Sequence, residues 1–389
     1  MAQSNPVVKV LDVCKVAPTP HTPNSTTQTS LPLTFFDIQW LRFPPTQRLF
    51  FHKFPCPETT LIDTILPKLK HSLSVTLQHY IPLAGNLVWP LESGKPIVQY
   101  NEGDAVYLTI AESEANFYQL SGNSFREAKE LHHFLPCLLA SQTRVPVMAL
   151  QVTLFPNAGF CIGYAANHVV FDGKSIAMFM HSWASICKRD GESTLSRELT
   201  PIYDRTLVKD PSDLEKAYLN GSSADNGAND RSLEIRDMKA PPDAMLGTFQ
   251  LTKANIESIK KLLGLNKCME EDGVAIAAWV IAEAIRGLDD GVLKGAKELI
   301  PNIISRLKEG GLVSLAGSPW FELYKTDFGW GRPNKVEMVS IDKSGAFYLS
   351  DSRDGHGGIE IGVVLKKDEA EAFASLFASG LEYHQVHKS

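Results

Sequence analysis

The stretch Cys161-Ile-Gly-Tyr-Ala-Ala-Asn-His168-Val-Val-Phe-Asp172-Gly173 decides the fold, because its residue pattern changes period at its end. The run before His168 is apolar and rich in β-forming residues, and it predicts a strand over 159–170. The apolar residues after Gly173 then recur with the spacing of one helix face: Ile176, Phe179, Met180, Trp183 and Ile186. We therefore predict a helix that runs to about Lys188, with His168 and Asp172 where the strand gives way to it.

A histidine and an aspartate four residues apart have several interpretations. Such a pair often arises by chance, and on a helix it would form a surface salt bridge or half of a metal site. The strand before His168 argues against both, and no third ligand stands nearby to complete a metal site. We therefore expect no metal ion here, and the pair remains a candidate catalytic site.

The composition is that of a globular protein with two cores. The chain has 389 residues, which exceeds the roughly 250–300 residues at which a single core stops growing. Its 44% hydrophobic and 21% charged residues are ordinary for a soluble protein. The net charge is −6 and no basic stripe is present, which argues against a nucleic-acid partner.

No targeting or membrane segment is visible in the sequence. Residues 1–20 lack a charged segment followed by an apolar one, and the most apolar stretch, 145–171, is interrupted by polar residues and a proline. Six cysteines stand singly, which is typical of reduced thiols rather than of a disulfide framework or zinc site. We expect a cytoplasmic protein without a membrane partner.

Periodicity predicts elements on both sides of the junction. Leucine or isoleucine at every fourth position predicts a helix over 60–80 with a kink at Pro67, and residues 147–155 predict a strand beside the one that leads to His168. The second half is predicted to contain strands over 248–251, 336–341, 346–350 and 359–366, helices from Thr252, over 274–286 and 293–308, and a closing helix around Phe373. Between them, 190–243 is irregular and includes a flexible polar stretch at 220–230.

A second motif, Asp327-Phe-Gly-Trp-Gly331, lies far downstream of the first. In this order and at about this separation, the two motifs resemble the HxxxDG and DFGWG signatures of the plant BAHD acyltransferases. The resemblance covers nearly the whole chain and favours the branch that malonylates glucosides of anthocyanins and other phenolics. Stretches that carry it are 31–41, 80–86, 172–175, 272–278 and 336–341.

The resemblance implies an α/β (α+β) fold of chloramphenicol-acetyltransferase type. Two domains would each hold a mixed sheet flanked by helices, with a channel between them that reaches His168 from both faces. We predict an N-terminal acyltransferase domain over 1–189, an interdomain linker over 190–246 and a C-terminal acyltransferase domain over 247–389. Composition and periodicity alone indicate only α and β elements in two halves.

The resemblance also implies acyl transfer from a coenzyme A thioester, and His168 has the chemistry that the acceptor hydroxyl requires. A hydroxyl is a weak nucleophile near neutral pH, and a positioned histidine that takes its proton is worth roughly 10²- to 10⁴-fold. We predict His168 as general base in direct attack, since no reactive cysteine or GxSxG elbow suggests an acyl-enzyme. Asp172 either orients the imidazole or holds the turn through backbone amides or an arginine, and the resemblance implies the second role. Gly173 would allow a sharp turn.

Malonyl-CoA is the implied donor, and the start of the helix after Gly173 offers groups that suit its carboxylate. Free amides, the helix dipole and the Lys174 ammonium are there, so Lys174 and Ser175 are candidate donor contacts, although Lys174 suits a solvated helix position equally well. Lys253 is a candidate for a coenzyme A phosphate. No bound cofactor is expected, since coenzyme A enters as a cosubstrate.

Two other segments contain candidate residues. Thr34 and Asp37 fall where the family places the acceptor channel, although a strand edge packed under the first helix is an alternative. In the second motif, Asp327, Gly329 and Gly331 indicate a tight structural turn, which the resemblance places at the domain interface. Trp330 has an indole N–H that is a candidate contact for the oxyanion or the substrate.

The chain departs from the family pattern in its second half. After the predicted helix from Thr252, the family has a β-rich segment, a strand with Asp-x-Arg and a Tyr-Phe-Gly-Asn-Cys stretch, whereas this chain passes through 265–272 directly into the next helix. The missing arginine would pair with Asp172. We expect an unpaired buried carboxylate there, which costs several kcal/mol or becomes protonated, and would loosen His168. We also expect uncovered edges and apolar faces, with low solubility or partial folding.

Two hypotheses of function follow. The first is an active O-acyltransferase that moves malonyl from malonyl-CoA to a sugar hydroxyl, such as the glucose 6-hydroxyl, of a phenolic or flavonoid glucoside. The alternative is a non-catalytic shortened member of the family that lacks the Asp-x-Arg segment and part of the coenzyme A tunnel. In either case we expect a monomer whose partners are small molecules.

Overall fold

The chain folds into three β-sheets flanked by helices. The structure is a computed structural model and describes residues 8–20, 29–138, 141–223, 231–236, 238–264, 273–309 and 313–386. The described strands are β1 Lys9–Val16, β2 Thr29–Pro32, β3 Thr46–Lys53, β4 Asn86–Val88, β5 Ile97–Tyr100, β6 Val106–Glu112, β7 Arg126–Glu127, β8 Arg144–Pro146, β9 Met148–Phe155, β10 Gly159–Ala166, β11 Ala244–Leu251, β12 Leu315–Gly317, β13 Lys335–Met338, β14 Phe347–Asp351 and β15 Ile359–Lys366. The described α-helices are α1 Phe35–Ile38, α2 Glu58–Thr60, α3 Leu66–His79, α4 Phe117–Leu120, α5 Ala128–His132, α6 Gly173–Lys188, α7 Leu214–Ser223, α8 Lys253–Gly264, α9 Gly273–Arg286, α10 Leu299–Glu309, α11 Ile341–Ser344 and α12 Lys367–Val386.

Two of the three sheets are mixed, and the small sheet is antiparallel. The central sheet has the order β1-β6-β9-β10-β3-β13, the C-terminal sheet β12-β14-β15-β11-β7 and the small sheet β2-β5-β4-β8. Strands β6 and β9 pair in parallel, as do β12 and β14, while the other pairs are antiparallel. The predicted class of mixed sheets flanked by helices is confirmed.

The hairpin of β9 and β10 forms the middle of the central sheet and leads to His168. Every residue of both strands is buried, as expected for strands whose two faces are both covered. At the turn, Asn157 has a left-handed φ of 61° and Gly159 pairs with Phe155. The predicted strand over 159–170 ends earlier, at Ala166, because the chain turns after Asn167.

Helices α3 and α6 pack against each other in the layer beside the central sheet. The apolar residues predicted to line one face of α3 and of the turn before it are buried, with Leu69 and Leu73 each 0% exposed. The predicted kink at Pro67 stays a prediction, and a π-helical turn, Leu61–Ile65, ends two residues before the proline. Helix α6 has the predicted bounds, and its Trp183 Nε1 donates to Leu69 O at 3.2 Å.

The two halves of the chain exchange strands. Strand β7, from the first half, joins the C-terminal sheet, whereas β13, from the second half, joins the central sheet. Their side chains meet in a buried polar cluster in which Arg126 pairs with Glu337 and Lys335 lies 3.2 Å from a carboxylate oxygen of Glu360. The predicted domain boundaries therefore stay a prediction, since the central and C-terminal sheets each contain strands from both halves.

Three details of the second half differ from the predictions. The helix predicted from residue 293 begins at Leu299, because Gly295 adopts a left-handed φ of 76°. The strand predicted over 336–341 ends at Met338 and is followed by α11. The irregular region contains α7, and residues 224–230 of its polar stretch lie outside the described residues.

Helix α9 confirms that apolar faces are uncovered in the second half. Its described side chains include Trp279, Val280, Ile281 and Ile285, which are 50–61% exposed. On the edge strand β12, Leu315 is 65% exposed. The segment 265–272, where we placed the deletion, lies outside the described residues.

Candidate active site

His168 lies in the turn between β10 and α6, as the sequence predicts. The turn is organised by the buried Asn167, whose Oδ1 accepts from Val169 N at 3.2 Å and whose backbone carbonyl accepts from Val170 N at 3.0 Å. This side-chain-to-backbone bond is the Asx-turn that asparagine favours. The strand therefore ends at Ala166, two residues before the histidine.

The imidazole of His168 is half-buried between this turn and the segment after α1. Its ring stacks on the indole of Trp40, with ring centroids 4.0 Å apart and planes inclined by 19°. Nδ1 is enclosed and has no hydrogen-bond partner. Burial lowers the pKa of His168 below its ordinary value, although its own backbone carbonyl and the Asp172 carboxylate act in the opposite direction. The ring is therefore held neutral near pH 7, the form that a general base requires.

Asp172 is the N-cap of α6 and does not hydrogen-bond the imidazole. Its Oδ1 accepts from Ser175 N at 2.7 Å, which satisfies one of the unpaired amides at the start of the helix. Asp172 is exposed, so the expected unpaired buried carboxylate is not what the structure shows. Water solvates the carboxylate, and the cost of desolvating it does not arise. Within the part of the chain that the structure describes, no cation forms an ion pair with Asp172.

Gly173, Lys174 and Ser175 form the first turn of α6, beside His168. Lys174 and Ser175 are both exposed, but the Ser175 amide is already bound to Asp172. Gly173 lies under the ring of Phe321, since a Cβ added there would be 2.5 Å from a ring carbon. The glycine is thus required by a close aromatic neighbour, a constraint that sequence reasoning missed.

The second motif lies at the opposite end of α6. Lys188 Nζ donates to Asp327 Oδ2 at 2.6 Å, and Asp327 Oδ1 accepts from the amides of Gly329 and Gly331 at 2.9 Å each. Burial acts to raise the pKa of Asp327, but these three hydrogen bonds and the Lys188 charge lower it overall. Because α6 has 16 residues, the motif is separated from His168 by roughly 24 Å of helix.

Trp330 is also distant from His168. Its ring packs edge-on against Phe160, with centroids 5.9 Å apart, and Phe160 lies at the start of β10. Six residues of extended strand separate Phe160 from Ala166, which corresponds to roughly 20 Å. The structure therefore places Trp330 among aromatic side chains and does not bring it to the reacting site.

Thr34 and Asp37 form the capping box of α1. Asp37 Oδ2 accepts from Thr34 N at 2.7 Å and from the Thr34 hydroxyl at 2.8 Å, and Arg205 lies 3.3 Å from the same oxygen. Thr34 is buried at a helix cap and not in the strand edge that was the alternative for these residues. The residue of this segment that reaches His168 is Trp40, which sequence reasoning missed as a site residue.

Lys253 begins α8 and is exposed, with its side chain against the turn at Gly357. No contact joins it to His168 among the described residues. The same part of the chain contains no group of three His, Cys, Asp or Glu side chains arranged to hold a metal ion. None of its helices combines the length and the apolar character that a bilayer crossing requires.

The family model described as "Transferase family" matches residues 14–275 and 283–379 of this chain. The chain belongs to this family, the BAHD acyltransferases. As a member of this family, the chain is an O-acyltransferase. Among BAHD relatives, phenolic glucoside malonyltransferase 1 of Arabidopsis thaliana is 32% identical over 462 positions, which cover 96% of this chain and 98% of that protein.

A second relative is the malonyl-CoA:anthocyanidin 5-O-glucoside-6''-O-malonyltransferase of Arabidopsis thaliana. It is 36% identical over 462 positions, which cover 98% of this chain and 100% of that protein. Since this chain has 389 residues, at least 73 of the 462 aligned positions contain no residue of it. The chain therefore lacks several dozen positions that this relative occupies, and the predicted location of the missing segment near 265–272 stays a prediction.

Solved structures agree on the fold. Vinorine synthase superposes with a TM-score of 0.60 at 17% identity, covering 93% of this chain and 95% of the other. F. graminearum TRI101 complexed with ethyl coenzyme A gives a TM-score of 0.54 at 12% identity, covering 90% and 97%. The predicted chloramphenicol-acetyltransferase type of fold is confirmed.

Proposed function

We propose that this chain transfers a malonyl group from malonyl-CoA to a sugar hydroxyl of a phenolic or flavonoid glucoside, with His168 as the general base. The observation that carries this proposal is the half-buried imidazole at the turn before α6, whose pKa burial lowers, in a chain of the BAHD family. The printed names of two relatives supply the malonyl donor and the glucoside acceptor.

The chemical step needs one proton acceptor and no covalent enzyme intermediate. The acceptor hydroxyl transfers its proton to His168 as its oxygen bonds to the thioester carbonyl carbon. The tetrahedral intermediate then expels the coenzyme A thiolate, which takes the proton back from the imidazolium. The products are the malonyl ester and free coenzyme A. Nε2 is the nitrogen available for this exchange, because Nδ1 is enclosed.

The first turn of α6 is the proposed site for the malonyl carboxylate. Lys174 is exposed there and adds its charge to the positive end of the helix dipole. The Ser175 hydroxyl is a second candidate contact, because its amide is bound to Asp172. Lys253 as a coenzyme A phosphate contact is a weaker part of the proposal, since it rests on charge and exposure alone.

Transfer from malonyl-CoA to a panel of flavonoid and simple phenolic glucosides, read by mass shift, tests the proposal. We expect product from the native chain, a loss of roughly 10²- to 10⁴-fold in His168→Ala, and full product in His356→Ala, which alters an exposed histidine. With Lys174→Ala, the rate should fall several-fold for malonyl-CoA and stay unchanged for acetyl-CoA. Equal losses for both donors would rule out the carboxylate contact, and activity in His168→Ala would rule out the base.

The second candidate function is a non-catalytic, shortened BAHD protein. The exposed apolar side chains of α9 favour it, because they indicate that the second half lacks part of its covering structure. The same assay separates the two candidates. A folded native chain that forms no product with any donor or acceptor would favour the non-catalytic function.

A further inference from the structure

No other described residue hydrogen-bonds the imidazole of His168, although its own backbone carbonyl acts on the ring. Its Nδ1 is enclosed without a partner, and the nearby carboxylate of Asp172 is bound to the Ser175 amide instead. In many catalytic sites a carboxylate or carbonyl bound to the second ring nitrogen fixes the orientation of a histidine base. Among the other described residues, the stacked indole of Trp40 is a contact that covers the face of the ring.

Trp40 is itself held firmly. Its backbone amide donates to Asp37 O at 3.0 Å, and its carbonyl accepts from Phe43 N at 3.0 Å. The Phe43 ring meets the indole edge-on, with centroids 5.4 Å apart and planes at 85°. Arg42 takes a left-handed φ of 68°, which turns the chain directly after the indole. The indole plane is thus fixed by the turn and by a second aromatic ring.

The stack of Trp40 on His168 also favours the positive charge that forms on the imidazole during the reaction. When His168 takes a proton from the acceptor, the imidazolium faces the electron-rich surface of the indole at a centroid distance of 4.0 Å, within cation–π range. Asp172 is the charged group whose field reaches the ring, and it too favours the imidazolium. Both oppose the desolvation that disfavours the charged ring.

We infer that Trp40 is a positioning residue for His168, whose indole face fixes the plane of the imidazole and stabilises the imidazolium formed during transfer. The catalytic part of this inference rests on the proposed function. The stacking part does not, because it concerns the free protein. The indole acts through His168, so we expect Trp40 substitutions to change kcat more than the KM for malonyl-CoA.

Trp40→Leu and Trp40→Phe distinguish the effect of the aromatic face from the effect of side-chain volume. Leucine keeps an apolar side chain but removes the face, whereas phenylalanine keeps a face. Trp279→Leu is the matched control, because it removes an exposed tryptophan from α9. His168→Ala identifies the His168 signal among the 11 histidines in a nuclear magnetic resonance titration of the free protein.

In the titration, we expect Trp40→Leu to lower the pKa of His168 by about one pH unit, and Trp40→Phe to recover most of that change. In the malonyl transfer assay, we expect kcat to fall about 10- to 100-fold in Trp40→Leu with KM little changed, and Trp40→Phe to restore most of the rate. Trp279→Leu should match the native chain in both measurements.

An unchanged His168 pKa in a folded Trp40→Leu chain would overturn the inference. A Trp40→Phe chain as impaired as Trp40→Leu, with the loss in KM, would also overturn it, because that pattern indicates a substrate contact. Absence of transfer by the native chain would count against the proposed function and against the catalytic part of the inference. The titration would still decide the stacking part, since it needs no substrate.

Discussion

Helices α6 and α9 are both rich in apolar residues, yet they lie in opposite environments. In α6 the apolar face is packed against α3, and Trp183 is 0% exposed. In α9 Trp279 is 50% exposed and Ile281 61% exposed. The comparison shows that apolar content is sufficient to predict a helix, whereas burial depends on whether the chain also supplies the elements that cover it.

The same comparison separates the two halves of the proposed enzyme. The helix that begins beside His168 is complete at both ends, with Asp172 at its N-terminus and Lys188 bound to the second motif at its C-terminus. The second half contains the uncovered α9, in a chain that is at least 73 positions shorter than its alignment with a relative. The helix that begins beside His168 therefore has both ends anchored, whereas α9 carries exposed apolar surface.

Removing each tryptophan should give the largest difference between the two helices. Trp183→Ala leaves a cavity and two lost hydrogen bonds in the core, so we expect the free energy of unfolding to fall by about 3–5 kcal/mol. Trp279→Ala alters an exposed side chain, and we expect a change within about 0.5 kcal/mol. Denaturant titrations of both variants measure this, and equal losses would mean that α9 is covered in solution.

Polar substitutions on α9 should reduce exposed apolar surface. In Ile281→Gln with Ile285→Gln, we expect weaker binding of a hydrophobic dye and less self-association than in the native chain. Ile202→Gln is the control, because Ile202 is 80% exposed outside α9. A native chain that melts cooperatively, elutes as a monomer and binds no dye would contradict the uncovered face.

The C-terminal end of α6 should give a smaller, pH-dependent effect. Because the folded pKa of Asp327 is lowered, its contribution to stability is full above the ordinary carboxyl pKa of about 4 and is lost as the pH falls through the folded value. Lys188 is 56% exposed, so we expect Asp327→Asn to cost about 0.5–1 kcal/mol near pH 7 and nothing at low pH. Urea titrations at both pH values test this, and a loss that persists at low pH would point to the turn rather than to the charge.

The spacing of apolar residues predicted the helices and strands around His168, because that spacing determines which side chains are buried. The α3 stripe, the β9–β10 hairpin and the bounds of α6 all depend on residues close together in the chain. The stack of Trp40 on His168 joins residues 128 positions apart, and the Phe321 ring over Gly173 joins residues 148 apart. No local period predicts such contacts.

The motif resemblance predicted the fold better than it predicted the positions of the site residues. It indicated the family and the two-motif order, but it could not show that Trp330 lies at the other end of β10 from His168. It also suggested a buried Asp172 after loss of its arginine, whereas the structure has this carboxylate exposed as a helix cap. The capping role of Asp172 was predictable from the local sequence, since aspartate before the first helical residue is a preferred N-cap.

The pH dependence of kcat/KM for malonyl transfer tests most directly whether the half-buried, neutral His168 is the base. Since burial lowers the pKa of His168, we expect activity to fall on the acid side with an apparent pKa below the ordinary 6.5. This acid limb should vanish from the residual activity of His168→Ala. An acid limb at or above pH 6.5, or one that persists unchanged without His168, would contradict the assignment of His168 as the base.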